Sequence, residues 1–476
     1  MIHFKINRFI LCILLCLTFV ASAQKPFQNS LDSLLDDDFF QTATIGVSVY
    51  DLTANRSLYN RNERRLCRPA SNMKLLTSAA GLHFLTSSYT FCTGLSCSGQ
   101  IADGCLRGDL YLSGGFDPEF TSVGLDSMVS MLNTAGIRRF EGNVYADVFI
   151  ADDTQWGRGW SWDDDMETFQ PYLTPIPLNK GVVKLKVTPA SPGRQPIVQT
   201  EPSSAFFRMD NRATTVWTAK EPTKETLHFR RRSDESSNLI EITGSIAAKA
   251  KPYEKYISVQ LPTEYVLAVF ADKLAEKLPG STVVKTGTMV APAQATPIGE
   301  IRHTLPEVIR QMNKESDNLN AEMMLYALAL PYYDLPATTE KGTGQVRKFV
   351  RLTGYDSKNI SIVDGSGLSN MNYLSPELLV TVLRFMYQSP DFSLYKSSLA
   401  EAGTDGTLKN RMKETPAYRK VFAKTGSLTG VSTLSGYVET NNGHLLAFSI
   451  MVQNFTIKAR EVHEKIDKIC ERMVEL

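Results

Sequence analysis

Ser71 and Lys74 open the apolar run "RPASNMKLLTSAA", three residues apart. On a helix that spacing puts both side chains on one face. There an amine can take the proton that a serine hydroxyl must lose before it attacks a carbonyl. A lysine serves as such a base only when burial or nearby positive charge lowers its pKa. Alone, the pair is common by chance, and two ordinary residues on a helix end account for it as well. Two other short stretches supply the missing groups. "ESDNLNAEMML" sets Ser316, Asp317 and Asn318 at the start of a helix, and "FAKTGSLTG" sets Lys424, Thr425 and Gly426 near the end of a strand. Lys424 is then a candidate source of positive charge, and Ser316 can carry protons between the groups. Asn318 can hold a substrate amide or position Lys74. Lys424 and Thr425 can meet a substrate carboxylate, and Gly426 lets a substrate backbone lie close against its strand.

Those stretches need elements to carry them. "ATIGVSVYDL" alternates as a strand, "TANR" reads as a turn and "SLYNRNERRL" as the return, which feeds into the Ser71 segment. "LDSLLDDDFF" before it reads as a short amphipathic helix. From Tyr89 to about Pro262, short strands are broken by Gly, Pro, Asn and Asp, the pattern of a mostly β region. Helical patterning returns in "EYVLAVFADKLAEKL" and in "LPEVIRQMNKES", where Leu305, Val308, Ile309 and Met312 share one face. Three strands follow, "KVFAKTGSL", "STLSGYVET" and "HLLAFSIMVQNF", the last two flanking the hairpin signal Asn441-Asn442-Gly443. A final helix runs from about Lys458. One domain built from both termini, with a second inserted into it, fits this order.

Bulk properties narrow the class. Lys5 and Arg8, the apolar run from Phe9 to Val20 and the small residues Ala21 and Ala23 have the order of a cleaved secretory signal. The apolar run is shorter than the roughly 20 residues that span a bilayer, and Leu15 before Cys16 is too large for a lipid-modified cysteine. Cleavage after Ala23 and an exported, soluble protein are expected. With 51 Lys and Arg against 50 Asp and Glu, the net charge of +1 favours neither nucleic acid nor a membrane surface. Five cysteines follow the signal, Cys67, Cys92, Cys97, Cys105 and Cys470, and the odd number leaves at least one thiol unpaired within a chain. Cys97 and Cys105 flank "SGQIADG", which reads as a hairpin turn, so a bridge between them is expected; an exported location permits it. Neither cysteines nor histidines such as His83 and His303 have metal-ligand spacing. No metal and no cofactor are expected.

In the order S-x-x-K, S-D-N, K-T-G, the three stretches match the signature of penicillin-binding proteins and serine β-lactamases. "GDLYLSGGFDPEF", "MNKESDNLNAE", "VDGSGLS", "AGTDGTLKNRM" and "AKTGSLTGVSTLSGYV" narrow it further. The chain resembles the D-alanyl-D-alanine carboxypeptidases/endopeptidases of the type-4 penicillin-binding protein kind over nearly its whole mature length. The resemblance implies an α/β (α+β) fold with a serine β-lactamase/DD-peptidase-like catalytic domain, its antiparallel sheet flanked by helices. Its expected boundaries are a signal at 1–23, a catalytic domain from 24–86 and 263–476, and an inserted β-rich region at 87–262, in one or two subdomains. It also implies a periplasmic enzyme of cell-wall remodelling, acylated at Ser71 by stem peptides of peptidoglycan. β-Lactams would be its covalent inhibitors, and a homodimer is a further expectation. By the family's geometry, the backbone N–H groups of Ser71 and Ser427 would receive the oxyanion.

"GRGWSWDDDMETF" in the insertion is similar to family segments that approach the substrate. Asp164 and Phe169 would then contact the cationic end and stem of a diamino acid. The alternative is that Asp163, Asp164 and Asp165 decorate a solvated loop. Asn370 stands where some relatives carry arginine, and Asp364 and Ser366 are expected to shape the glycine-containing turn before it. A β-lactamase or esterase on the same fold is a second reading, but no dedicated deacylating glutamate is visible. A non-catalytic wall-binding protein is a third, but every motif residue is present.

Overall fold

The computed structural model describes residues 25–217, 226–232 and 238–476. The expected signal peptide lies outside the described residues. Within them, no helix is long and apolar enough to cross a membrane. The chain divides into two units.

The first unit takes the described residues up to His83, then Ile309–Ser316 and Val346–Leu476. Its six-stranded sheet has the order Ala400–Glu401, Val421–Leu428, Val431–Glu439, Leu445–Gln453, Thr44–Asp51, Arg56–Arg61. Every neighbouring pair is antiparallel. The strands at Val431–Glu439 and Leu445–Gln453 are buried almost throughout, and in the second the apolar residues run on rather than alternate. Their hairpin pairs Glu439 with Leu445 across the expected turn. The C-terminal helix Ala459–Val474 buries Val462, Ile466, Ile469, Cys470 and Met473, a single apolar stripe, against this sheet. Each such aliphatic side chain contributes about 1.5–3 kcal/mol when fully buried. Helix Pro376–Tyr387 starts with Ser375, whose side chain accepts from the Leu378 N–H, and with proline in its first turn. Both features favour initiation at that point.

The second unit comprises Phe84–Val308 and Asp317–Gln345. Its five-stranded sheet has the order Thr282–Thr288, Arg139–Asp147, Cys105–Gly115, Thr90–Ala102, Thr296–Thr304. Residues 263–308, expected in the catalytic domain, fall here instead. The reason is strand pairing: Thr282–Thr288 runs parallel to Arg139–Asp147, and Thr296–Thr304 antiparallel to Thr90–Ala102. A three-stranded and a four-stranded sheet complete the β-rich part. Helix Asn318–Ala329 also belongs to this unit, and Leu319–Ala329 is buried on every side.

The expected Cys97–Cys105 bridge is absent. The turn is the dipeptide Asp103-Gly104, both with positive φ, so Ala102 pairs with Cys105 and Cys97 with Leu110. Asp-Gly is a strong two-residue hairpin signal, and it sets the register five pairs away from the one a bridge needs. All five cysteines outside the signal are free.

Candidate active site

Ser71 sits in a single 3-10 turn, Ala70–Asn72, that leads into helix Met73–Leu85. Lys74, in the first turn of that helix, has no solvent exposure. Its Nζ donates to Ser71 Oγ at 3.0 Å and to the Ser366 carbonyl at 2.8 Å. The spacing of three therefore does bring hydroxyl and amine together.

The turn around Ser366 is held by Asp364, as expected. Its buried carboxylate accepts from the N–H of Gly367 at 2.8 Å, the N–H of Ser369 at 2.6 Å and Asn372 Nδ2 at 2.7 Å. Gly367 has φ +86°, and a Cβ there would lie 1.8 Å from the Ala70 carbonyl oxygen. Only glycine lets this turn close against the Ala70–Asn72 turn that holds Ser71. Thr77 Oγ1 donates to the Gly365 carbonyl at 2.7 Å, adding a second tie to the same helix. Asn370 Oδ1 accepts from Arg68 Nη1 at 3.3 Å, so a guanidinium stands beside this position.

Lys424 comes from strand Val421–Leu428 and is equally buried. Its Nζ donates to the Thr425 carbonyl at 3.0 Å. Burial, reinforced by the charge of Lys74 and opposed by Glu315, holds its pKa well below the usual lysine range. The strand is moored to the Ser71 turn by Asn72 Nδ2, which donates to the Lys424 carbonyl at 2.9 Å, and by Thr433 Oγ1, which donates to the Pro69 carbonyl at 3.0 Å. A Cβ on Gly426 would lie 2.2 Å from Thr433 Oγ1 and 2.8 Å from that carbonyl oxygen. Glycine is thus required by the protein's own packing, beyond any need of a substrate. Thr425 Oγ1 donates to Thr407 Oγ1 at 2.8 Å, and Ser427 is exposed on the strand beyond.

Ser316 closes a π-helical turn, Gln311–Glu315, with a left-handed φ of 63°. π-Turns and left-handed non-glycine residues concentrate at functional sites. Asn313 in that turn donates to Ser398 Oγ at 2.9 Å and to Ser78 Oγ at 3.3 Å, while Ser78 Oγ donates to the Lys74 carbonyl at 2.6 Å. Lys314 makes an ion pair with Asp405. These contacts tie the Ser316 segment to the helix that carries Lys74.

Asn318, Asp164 and Phe169 belong to the second unit. Asn318 Nδ2 donates to the Phe169 carbonyl at 2.6 Å, so the expected substrate loop meets the S-D-N helix through its main chain. Phe169 is 47 % exposed. The three aspartates differ: Asp165 accepts from Arg231 at 2.5 Å and Tyr172 at 3.1 Å, a structural role. The Asp164 carboxyl is pushed up by burial, then by Asp163 and Glu167.

The geometry agrees with what the chain is similar to. The model of the D-Ala-D-Ala carboxypeptidase 3 (S13) family matches residues 27–474. The chain belongs to that family. A D-alanyl-D-alanine carboxypeptidase of Actinomadura sp. (strain R39) is 31% identical over 89% of this chain and 80% of its own length. D-alanyl-D-alanine carboxypeptidase DacB of Haemophilus influenzae is 24% identical over 92% of this chain and 91% of its own. The crystal structure of penicillin binding protein 4 (dacB) from H. influenzae superposes with a TM-score of 0.82 at 23% identity, covering 94% of this chain and 99% of that one. The fold is therefore that of penicillin binding protein 4, an α/β fold with the expected antiparallel sheet, and this S13 member is a serine-type D-Ala-D-Ala carboxypeptidase.

Sequence reasoning missed several residues that organise the site. Asn72 lies inside the motif and is wholly buried, and the Ser366 carbonyl reaches Lys74 while its side chain accepts from the Leu368 N–H in the expected turn. Asn313 and Thr433 were not singled out. Buried Asn and Thr between apolar neighbours are a weak signal, because a chain of letters does not show which polar side chains face inward.

Proposed function

We propose that Ser71 is the nucleophile of a peptidoglycan DD-carboxypeptidase/endopeptidase. Its Oγ attacks the carbonyl of the penultimate D-alanine while its proton passes to an uncharged Lys74. The C–N bond to the last residue breaks, the leaving amine takes that proton, and water then hydrolyses the ester to regenerate Ser71. The observation that carries this reading is the wholly buried Lys74 with its Nζ 3.0 Å from Ser71 Oγ.

Two buried lysines close enough to influence one another cannot both keep their protons cheaply. Burial, reinforced by the charge of Lys74, holds the Lys424 pKa well below the usual lysine range. A substrate's terminal carboxylate, met by Lys424, Thr425 and Ser427, draws a proton back to Lys424. The returned charge favours an uncharged Lys74, the form that can accept the Ser71 proton. The N–H groups of Ser71 and Ser427 receive the oxyanion. Ser316 relays protons, Asn318 holds the substrate amide, and Gly426 lets the substrate backbone approach. Phe169 packs on the stem, and a cationic group of the diamino acid relieves the raised Asp164 carboxyl.

β-Lactams present a strained acyl donor to the same hydroxyl, and the H. influenzae relative has been solved complexed with one. We propose that this chain is penicillin-binding and works in the periplasm after export. Incubation with benzylpenicillin should add one adduct mass to the mature protein and none to Ser71→Ala. An adduct that survives in Ser71→Ala overturns the assignment.

A further inference from the structure

Asn179, Lys180 and Gly181 carry consecutive positive φ values of 50°, 62° and 66°. Non-glycine residues hold that conformation only when their surroundings over-determine it. Here the Asn179 N–H donates to the Phe120 carbonyl at 2.9 Å, and Asn179 Oδ1 accepts from the Ser122 N–H at 2.9 Å. On the far side the Gly181 carbonyl accepts from the Val259 N–H at 2.8 Å. The turn is pinned at both ends, and the residue it presents is Lys180.

The Lys180 ammonium donates to Glu119 Oε1 at 2.6 Å and to Asn320 Oδ1 at 2.5 Å, and lies 3.7 Å from Asp317 Oδ2. Asn320 is wholly buried and closes the ring. Its Nδ2 donates to the same Glu119 oxygen at 2.7 Å and to the Val308 carbonyl at 3.0 Å, and its N–H donates to Asp317 Oδ1 at 2.9 Å. The two residues so held, Asp317 and Asn320, flank Asn318 on either side in the chain. A cation at a helix N-terminus opposes the helix dipole, so Lys180 is not there to stabilise the helix as such. Glu119 and Asp317 supply the negative charge that keeps it in place.

We infer that Lys180 is a positioning residue: it clamps the first turn of the S-D-N helix and thereby fixes the direction in which Asn318 presents its amide. This rests on the reading of Asn318 as the group that holds the substrate amide. Lys180 acts through Asp317 and Asn320. The inserted region thus contributes to the reaction through a strained turn as well as through its loop at Asp164.

The test compares the wild type with Lys180→Asn, which tolerates the left-handed backbone but lacks the ammonium, and Lys180→Arg, which keeps the charge. Acylation of Ser71 by benzylpenicillin and release of D-alanine from a stem peptide are measured, with thermal melting alongside. Lys180→Asn should lower the acylation rate and kcat about 10- to 100-fold, the scale of a misplaced contact. KM should change less than about threefold and melting by only a few degrees, and Lys180→Arg should recover most of the loss. A Lys180→Asn protein that acylates within twofold of wild type overturns the inference. So does a loss that follows the melting temperature and is not rescued by arginine. A wild type that forms no adduct at Ser71 overturns the parent reading and this one with it.

Discussion

At the scale of single residues, the two buried lysines differ in what each one touches, and the proposed mechanism gives them different work. Lys74 reaches the Ser71 hydroxyl, whereas Lys424 reaches the carbonyl of its own neighbour on the K-T-G strand. Lys74→Arg should therefore acylate at least about 100-fold more slowly than wild type, because a guanidinium stays protonated and cannot serve as a base. Lys424→Arg should retain part of the rate, since charge alone performs some of its task. Lys424→Ala should slow donors with a free carboxylate much more than donors whose carboxylate is amidated. Acylation rates against matched free and amidated donors separate the two roles, and a Lys74→Arg protein as fast as wild type would remove Lys74 from the mechanism. The spacing of Ser71 and Lys74 was legible because i and i+3 share a helix face whatever surrounds them. The Ser366 carbonyl was not, since any residue type can offer one.

At the scale of elements, the site is an assembly of a helix start, a turn and a strand held at close quarters by glycine. Gly426 has no room for a methyl group against Thr433 Oγ1 and the Pro69 carbonyl. Gly426→Ala should push the strand from the Ser71 turn, destabilise the fold by about 1–3 kcal/mol and slow acylation roughly 100-fold. The adduct should still form at Ser71, so intact mass, stopped-flow rates and melting together distinguish misplacement from loss of the nucleophile. Unchanged rates would show that the strand absorbs the methyl group without moving. The hairpin at Asn441-Asn442-Gly443 was readable because its turn chemistry is local. The Asp103-Gly104 turn carries an equally local signal, and weighing it would have corrected the Cys97–Cys105 register.

At the scale of the whole molecule, five thiols persist in a chain expected to be exported. Cys67, Cys97, Cys105 and Cys470 are buried and Cys92 is half-buried. Burial pushes the Cys67 thiol up to about 11 and the Cys470 thiol well above its ordinary value, so neither supplies the reactive thiolate at neutral pH. Ellman's reagent should find little reactive thiol in the native mature protein and five after denaturation without reductant. Recovery of only three would mean that one pair is bridged. Stability must then come from the two cores rather than from cross-links. One is built around the six-stranded sheet and the other around the insertion's sheets and the helix Pro262–Lys277.

The sequence by itself determined the chemistry: a hydroxyl and an amine one helical turn apart, an S-D-N helix start and a K-T-G strand. These are local patterns, dictated by spacing along one chain, and so were the final hairpin and the last helix. Tertiary structure alone decided what lies across from them. Strand pairing assigned residues 263–308 to the second unit, and hairpin register left Cys97 and Cys105 apart. Packing against the Ser71 turn, beyond any need of a substrate, requires the glycines at 367 and 426. Lys180 and Glu119 meet the S-D-N helix from distant parts of the chain. Long-range pairing depends on which faces are buried together, and that depends on every element at once.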